Sequence, residues 1–251
     1  MAASTTTAPP HRDRLNSFGF DDGREQGLRE YIFARPDLET SLRNNPKAVL
    51  AAISEYTAKK RMITFGEVKI NKCRELLAQM NPAPKTLIEL GTYVGMSAIG
   101  WGDILKSLNP GEESRCKVFA MELDPKFAAI ARDLVELAGL KDIVTVLEGP
   151  AADNIRALKT SHTIDKVDVA FFDQWQESYK ADLMVCEECG IFRVGSTILA
   201  DNTDIPGTPD YNQYLEESGS RQGGVKYQNV KHETTSVVAK IVLASTVLEV
   251  P

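Results

Sequence analysis

Short runs rich in β-branched residues alternate with longer helical segments along the middle and C-terminal parts of this chain. The runs lie at residues 86–90, 117–121, 144–147, 167–172 and 196–200, and helical spacing of apolar residues is clearest at 127–140 and 179–192. Such alternation is typical of parallel strands joined by right-handed crossover connections. A further apolar run at residues 237–243 predicts a closing strand. The sequence therefore predicts an α/β fold built on a mostly parallel sheet with helices on both faces.

The length and composition favour one domain. With 251 residues, of which 43% are hydrophobic and 25% charged, the chain can bury the core of a single large α/β domain. Residues 1–20 begin with a stretch rich in Ser, Thr, Pro and Ala that buries little apolar surface, so we predict a flexible tail there. Helical spacing and a helix start at Asn45-Pro46 predict a helical cap over residues 21–82, followed by an α/β core over residues 83–251.

The charge and the apolar pattern restrict the partners. A formal net charge of -6 disfavours nucleic acid, because phosphate binding needs a concentrated excess of Lys and Arg. No stretch has the roughly 18 uninterrupted apolar residues of a membrane-spanning helix, and the four cysteines do not form a disulfide framework. We expect a cytoplasmic protein with a small-molecule partner, and both a monomer and a homodimer stay open.

Acidic side chains stand at or near the ends of the apolar runs. They are Glu89, Glu122, Asp173 and Asp201, the last followed directly by Asn202. In an open α/β sheet, ligands bind at the carboxyl ends of the strands. These side chains are therefore the candidates for a binding site.

The first strand ends in a glycine turn. Gly91 and Gly95 flank this turn before a helix that begins near Ser97, so a ligand can approach the backbone closely. The spacing is not the G-x-G-x-x-G of dinucleotide sites, and a carboxylate at Glu89 would repel a pyrophosphate, which disfavours an NAD-dependent oxidoreductase. The same carboxylate suits an ammonium or a sulfonium group. S-adenosylmethionine carries both.

The later strand ends add a ribose contact and a metal site. Glu122 ends the second strand, where a carboxylate can accept hydrogen bonds from two ribose hydroxyls, although it could also be an ordinary strand terminus. Asp173, Asp201 and Asn202 place two carboxylates and an amide oxygen on one rim, which is a donor set for Mg²⁺. Any one of these three could instead cap a helix or a turn. Together they predict a nucleotide-type cofactor beside a hard metal ion.

Several blocks of this sequence resemble the catechol O-methyltransferase family. They keep their order and spacing at residues 65–67, 89–98, 138–142, 173–175, 187–190, 199–202 and 206–210. The resemblance implies a Rossmann-like class I methyltransferase fold with a seven-stranded, mostly parallel sheet. It also implies S-adenosylmethionine-dependent, Mg²⁺-assisted methyl transfer to one oxygen of a catechol-like or other small phenolic acceptor.

The resemblance further implies roles for individual residues. The cofactor site would comprise Phe65, Glu89, Gly91, Tyr93, Ser97, Glu122, Ala151, Asp173 and Trp175. Trp175 would lie against the adenine, and Mg²⁺ would bind Asp173, Asp201 and Asn202.

The sequence departs from the family pattern where the acceptor and the adenine are expected. The family has a Lys general base three positions after its first metal-binding Asp, whereas this chain has Gln176, which cannot take a proton at neutral pH. A Ser-Gln pair that contacts adenine in the family is replaced by Ala151-Ala152, so we expect lower cofactor affinity. Lys180 is a candidate replacement base, and Glu233 is a candidate for orienting the second hydroxyl. The alternatives are that the metal suffices for an acidic phenol, that the acceptor is not a catechol, or that the chain is a catalytically weakened binding or regulatory protein.

Overall fold

The computed structural model describes residues 20–251, so residues 1–19 of the predicted tail lie outside the described part. The described strands are β1 (Thr86–Leu90), β2 (Lys117–Glu122), β3 (Val144–Glu148), β4 (Val169–Phe172), β5 (Thr197–Ala200), β6 (Lys226–Glu233) and β7 (Ile241–Glu249). The described α-helices are α1 (Arg24–Phe33), α2 (Pro46–Lys59), α3 (Glu67–Leu77), α4 (Met96–Leu108), α5 (Pro125–Leu137), α6 (Ala151–Thr160), α7 (Tyr179–Glu188) and α8 (Pro209–Glu216). None of the helices in residues 20–251 has the length and apolar content needed to cross a bilayer.

All seven described strands form one sheet in the order β3-β2-β1-β4-β5-β7-β6. Strands β1 to β5 are parallel to their neighbours. Strand β7 runs antiparallel to β5, and β6 runs antiparallel to β7. The prediction of a seven-stranded, mostly parallel sheet is confirmed.

Apolar side chains cover both faces of the sheet. Adjacent residues of a strand point to opposite faces, and in β1 Leu87 joins one buried cluster while Ile88 joins the other. The first cluster also takes side chains from α1 to α5, and the second takes side chains from α6, α7 and α8. The helices before the sheet therefore share one of its faces with α4 and α5.

Local sequence signals explain where several helices begin and end. Helix α2 begins at Pro46, and the side chain of Asn45 accepts a hydrogen bond from the Ala48 N–H at 3.2 Å, which satisfies one free donor of the first turn. Helix α5 ends at Leu137, three residues before the end of the predicted helix at 140. The positive φ of 73° at Gly139 explains the early end, because a left-handed residue stops the helix.

The end of the sheet differs from the sequence prediction. The predicted strand at 237–243 begins only at Ile241 and runs to Glu249, and Val237 is 91% exposed in the preceding loop. The strands predicted from the apolar runs also did not include β6, whose middle residues are exposed at the edge of the sheet. An edge strand with an exposed middle lacks the apolar run that identified the other strands.

Parallel pairing brings the carboxyl ends of β1, β2, β4 and β5 to the same edge of the sheet. Glu122 is the last residue of β2, Asp173 follows β4 directly and Asp201 follows β5 directly. Glu89 is the penultimate residue of β1. The fold thus gathers the acidic residues that the sequence distributes over more than one hundred positions.

Gly91, in the turn after β1, should not tolerate a side chain. Gly91 and Gly111 both have positive φ, at 88° and 82°, but a Cβ on Gly91 would lie 2.6 Å from the Asp173 carbonyl oxygen, whereas one on Gly111 would meet nothing within 4 Å. We expect Gly111→Ala to lower the free energy of unfolding by about 1 kcal/mol, through backbone strain alone. Gly91→Ala should lower it by about 1–3 kcal/mol more, because backbone must move. Urea unfolding of both variants measures this difference, and equal losses would contradict the close approach.

Candidate active site at the carboxyl edge of the sheet

A large cavity opens at the carboxyl edge of the sheet. Its volume is about 1010 Å³, enough for a cofactor and a small second ligand. Residues at or just beyond the ends of β1, β2, β4 and β5 form its floor. Its walls comprise residues 61–69, 149–152, 205–206 and 235–239.

The floor begins with the glycine turn that follows β1. Gly91 and Gly95 adopt φ values of 88° and 89°, and Gly95 is the N-cap of α4. The N–H groups of Gly91 and Thr92 donate to the carbonyl oxygen of Met121 at 3.0 and 3.1 Å. The turn is therefore fixed to the end of β2, and its residues 91–94 line the cavity.

Glu89 lies fully buried below this turn. Its Oε1 accepts a hydrogen bond from the Trp101 indole N–H at 2.9 Å, while its Oε2 is buried without a partner among the described residues. Burial raises the pKa of Glu89 to about 7, and the side chains of Ser97, Thr92 and Trp101 oppose that shift. Ser97, in the first turn of α4, also lines the cavity and is 4% exposed. Glu89, a predicted cofactor residue, is therefore buried behind the floor of the cavity and does not belong to its lining.

Glu122 is held from two sides by backbone. Its Oε2 accepts a hydrogen bond from the Tyr93 N–H at 2.7 Å, and its Oε1 accepts one from the Asp124 N–H at 2.9 Å. Burial raises the pKa of Glu122 to about 7, and these two hydrogen bonds oppose the shift. The carboxylate is thus fixed in the cavity lining at the end of β2, with acceptor capacity left for ligand hydroxyls.

Asp173 and Asp201 share the rim beyond β4 and β5. The Asp173 N–H donates to the Leu90 carbonyl and the Asp201 N–H donates to the Phe172 carbonyl, both at 3.0 Å. Asn202 follows with a positive φ of 57°. Burial raises the pKa of Asp173 well above its ordinary value, and the charge of Asp201 raises it further. The structure brings these three predicted metal ligands together in one cavity lining.

A buried lysine that no motif predicted neutralises Asp201. The Lys69 Nζ donates to both carboxylate oxygens of Asp201, at 2.6 and 2.7 Å. It also lies 5.6 Å from the centre of the Phe65 ring, which places the predicted cofactor residue Phe65 beside this ion pair. Lys69 and Asp201 are only 6% and 3% exposed, so each charge depends on the other for compensation. The pair joins α3 to the end of β5.

The oxygen donors on this rim fit a hard divalent cation. In the residues that the structure describes, no three His, Cys, Asp or Glu side chains form a metal-binding group. Two carboxylates and an amide would therefore need further oxygen ligands, as Mg²⁺ sites commonly have. The Asn202 amide N–H donates to the Ile205 carbonyl at 3.4 Å, so its Oδ1 is not used in that bond. A metal here would share Asp201 with Lys69.

Aromatic rings pack around Tyr93 next to the glycine turn. The ring centres of Phe20 and Phe127 lie 5.1 and 5.0 Å from that of Tyr93, and Phe20 lies 6.1 Å from Trp175. The Tyr93 hydroxyl donates to the Glu25 Oε1 at 2.5 Å. These contacts fix the orientation of Tyr93 and extend the cavity wall to the predicted adenine residue Trp175.

Helices α6 and α7 contribute a second wall. Ala151, the first residue of α6, and Ala152 line the cavity without polar side-chain atoms. Two polar residues that the motifs did not predict also line this part of the cavity, Gln174 after β4 and Asp182 on α7. The Gln174 amide N–H donates to the Asp182 carboxylate. The Gln174 Oε1 is buried and has no partner among the described residues.

The predicted catalytic residues do not all reach the cavity. Gln176 begins the 3₁₀ turn Gln176–Ser178 and lines the cavity. Lys180 is exposed on α7, with its Nζ 5.7 Å from the Tyr214 ring centre, and Glu233 is exposed at the end of the edge strand β6. Neither side chain belongs to the lining. Lys180 lies on the outer side of α7. After β6, only residues 235–239 line the cavity, and Glu233 precedes them.

Exposed aliphatic side chains surround the mouth of the cavity. They include Ile63, Val68, Ile205, Val237 and Val238. Because exposed apolar groups gathered at a pocket favour apolar ligands, this mouth suits an acceptor with an apolar ring.

Comparison with known proteins gives this cavity a context. A family model described as O-methyltransferase matches residues 39–212. Bovine catechol O-methyltransferase is 35% identical over 193 residues, which cover 76% of this chain and 66% of the bovine protein, just under two thirds of its length. Mouse catechol O-methyltransferase is 33% identical over 195 residues, which cover 77% of this chain and 70% of the mouse protein. A probable O-methyltransferase of Mycobacterium tuberculosis is 30% identical, with 85% of each chain covered.

Solved structures share the fold. The O-methyltransferase of Bacillus cereus, in complex with SAH, matches with a TM-score of 0.62 at 18% identity, covering 90% of this chain and 96% of its own. TomG of Streptomyces achromogenes, in complex with SAM, matches with a TM-score of 0.64 at 16% identity, covering 96% and 100%. At these identities the match establishes the class I methyltransferase fold. With the family match and the mammalian relatives, it shows that the chain belongs to the O-methyltransferase family and is similar to the catechol O-methyltransferases.

Proposed function

We propose that this protein transfers a methyl group from S-adenosylmethionine to a hydroxyl of a catechol-like or other small phenolic acceptor, with Mg²⁺ assisting. The observation that carries the proposal is the gathering of carboxyl groups at one edge of the sheet: Glu122, Asp173 and Asp201 line the cavity, and Glu89 is buried beneath the turn of its floor. Glu89 keeps one buried oxygen without a donor, and the Asp173 carboxylate receives no hydrogen bond from residues 20–251. Two cations of different kinds would satisfy them.

The residues near β1 and β2 would bind the cofactor, which supplies a methyl group activated on a sulfonium. Glu89, buried beneath the turn, would attract the positively charged methionine part through its negative charge, and Gly91 and Ser97 would line the space where that part lies. Glu122, fixed by the Tyr93 and Asp124 N–H groups, would accept hydrogen bonds from the ribose. Tyr93, held in place by its hydrogen bond to Glu25 and by two aromatic rings, would form the cavity wall next to the reacting end of the cofactor. Such positioning lowers the barrier to in-line displacement.

Asp173, Asp201 and Asn202 would hold the metal, which acidifies and positions a hydroxyl oxygen when bound. The apolar mouth would receive the aromatic ring of the acceptor. Among the described residues, Lys69 is the lysine that lines the cavity. Its ammonium group already donates to both carboxylate oxygens of Asp201. Because Gln176 is not a base, we propose that the chain acts best on hydroxyls that are already acidic.

The metal requirement tests this proposal. The purified protein is incubated with S-adenosylmethionine and either a catechol or the matching monophenol, with Mg²⁺ or with a chelator, and methylated product is measured by mass spectrometry. We expect product from the catechol with Mg²⁺, and a loss on the order of 10²-fold or more with chelator, since both oxygens and the metal are needed to orient the nucleophile. Equal rates with and without chelator would contradict the role of Asp173, Asp201 and Asn202.

A lysine at position 176 should restore a proton acceptor. Gln176 already lines the cavity, so Gln176→Lys should raise kcat for catechol methylation by about 10²-fold, the lower end of the usual contribution of a general base. Gln176→Met has a similar length and no base, and should give no such gain. If both variants behave alike, the missing base does not limit this site.

Cofactor binding should release protons near neutral pH. Burial raises the pKa values of Glu89 and Glu122 to about 7, so part of each group is protonated at pH 6.5 and must ionise to meet a cation or two hydroxyl donors. Affinity for S-adenosylmethionine should therefore rise from about pH 5.5 to 7.5 and then level off. Calorimetry at pH 6.5 in two buffers of different ionisation enthalpy counts the protons released, and Glu89→Gln should release fewer. Net proton uptake would contradict this assignment.

A further inference from the structure

Lys69 is a buried cation to which the proposed chemistry gives no part. It lies in the first turn of α3, and its Nζ donates to both carboxylate oxygens of Asp201, at 2.6 and 2.7 Å. A positive charge in the first turn of a helix is unfavourable, so helix stability does not explain this lysine. Lys69 is 6% exposed and still lines the cavity. Its only compensating anion in the described residues is therefore one of the proposed metal ligands.

Rigid parts of the fold hold both members of this ion pair. The carbonyl of Asp201 accepts a hydrogen bond from the buried hydroxyl of Tyr179 at 3.1 Å. Helix α3 packs closely on α4, because a Cβ on Gly100 would lie 3.0 Å from the side chain of Ile70. The backbone positions of Lys69 and Asp201 are thus set by the scaffold. When a ligand binds Asp201, the lysine side chain is the part that can shift.

A metal ion at this rim would meet Lys69 in two ways. Both oxygens of Asp201 already accept hydrogen bonds from the ammonium group, so an ion that binds either oxygen must share it with Lys69 or displace Lys69 from it. The ion and the ammonium group would also be separated by one carboxylate group. Like charges that close repel each other strongly where water is largely absent. Lys69 therefore opposes the binding of a cation to Asp201.

We propose that Lys69 competes with Mg²⁺ for Asp201, so that the metal binds weakly and exchanges readily. The inference rests on the proposed Mg²⁺ site of Asp173, Asp201 and Asn202. Without Lys69, the metal-free protein would bury an unpaired carboxylate, which is strongly destabilising. The lysine thus keeps the metal-free rim assembled and in return lowers its affinity for the metal. Lys69 is a positioning residue, because it acts on the metal through Asp201.

The first test measures metal affinity in Lys69→Met, which keeps the length of the side chain and removes its charge. The probe is Mn²⁺, which also prefers oxygen ligands; its binding is followed by the loss of the electron paramagnetic resonance signal of the free ion, and Mg²⁺ is measured by competition. We expect Lys69→Met to bind both ions at least about tenfold more tightly than wild-type protein, because the repelling charge is gone. Equal or weaker binding would overturn the inference, since an ion pair that only joins α3 to β5 would not weaken metal binding.

Lys72→Met is the matched control, because it removes a lysine of the same helix that pairs with Glu75 instead. It should keep the wild-type affinity within about twofold, as expected for a charge that water screens. An equal gain in this control would overturn the inference.

Asp173→Asn combined with Lys69→Met tests where the ion binds. It should abolish the gain, and a gain that persists would place the ion elsewhere and overturn the inference. If neither wild-type protein nor Lys69→Met binds either ion, the proposed metal site itself is overturned.

Thermal unfolding decides the matter if Lys69→Met folds poorly without metal. Lys69→Gln is the second variant, because it keeps an N–H donor for Asp201 and removes only the charge. Without metal it should unfold at a lower temperature than wild-type protein. At one fixed Mg²⁺ concentration its midpoint should rise by more than that of wild-type protein, because stabilisation by a ligand grows with affinity. An equal or smaller rise would overturn the inference.

Discussion

Four carboxylates share one edge of the sheet that is largely removed from water, and the site depends on how each negative charge is compensated. Isolated buried charges cost several kcal/mol each, so compensation must come from the chain or from ligands. Glu122 accepts two backbone hydrogen bonds, and Asp201 is held by both contacts of Lys69. Glu89 has a donor for only one oxygen, and Asp173 receives none from the described residues. The two deficits are the physical basis for proposing one organic cation and one metal ion.

The surrounding scaffold keeps these charges in place. Apolar clusters on both faces of the sheet fix the strands, and the backbone of the turn at Gly91 approaches Asp173 so closely that no Cβ fits between them. Lys69 extends this rigidity to α3, because its helix cannot move without separating a buried ion pair. A preorganised arrangement of this kind loses little free energy to rearrangement when ligands bind.

The strand ends could be predicted from sequence because they combine two strong signals, a β-branched run and an acidic residue at or next to its end. This explains why Glu122, Asp173 and Asp201 lie where the apolar runs indicated. Lys69 lacked such a signal, although it occupies the buried stripe of α3 with Ile70, Cys73 and Leu77, an unusual position for lysine. The contact between Gln174 and Asp182 depends on how α7 packs, which no local pattern encodes. Lys180 was predicted from its position one helical turn beyond Gln176, and Glu233 from the family resemblance near the closing strand. The rotation of α7 and the exposed end of β6 direct their side chains away from the cavity.

Thermal unfolding tests the central claim most directly, because a ligand that binds only the folded protein raises its stability. The midpoint would be measured without ligand, with S-adenosylmethionine, with Mg²⁺, and with both. At about 100 times the dissociation constant, S-adenosylmethionine should add about 2.7 kcal/mol, a rise of roughly 5–10 °C for a chain of this size. Mg²⁺ should add a further rise that Asp173→Asn diminishes. An unchanged midpoint with S-adenosylmethionine at every concentration would contradict the account.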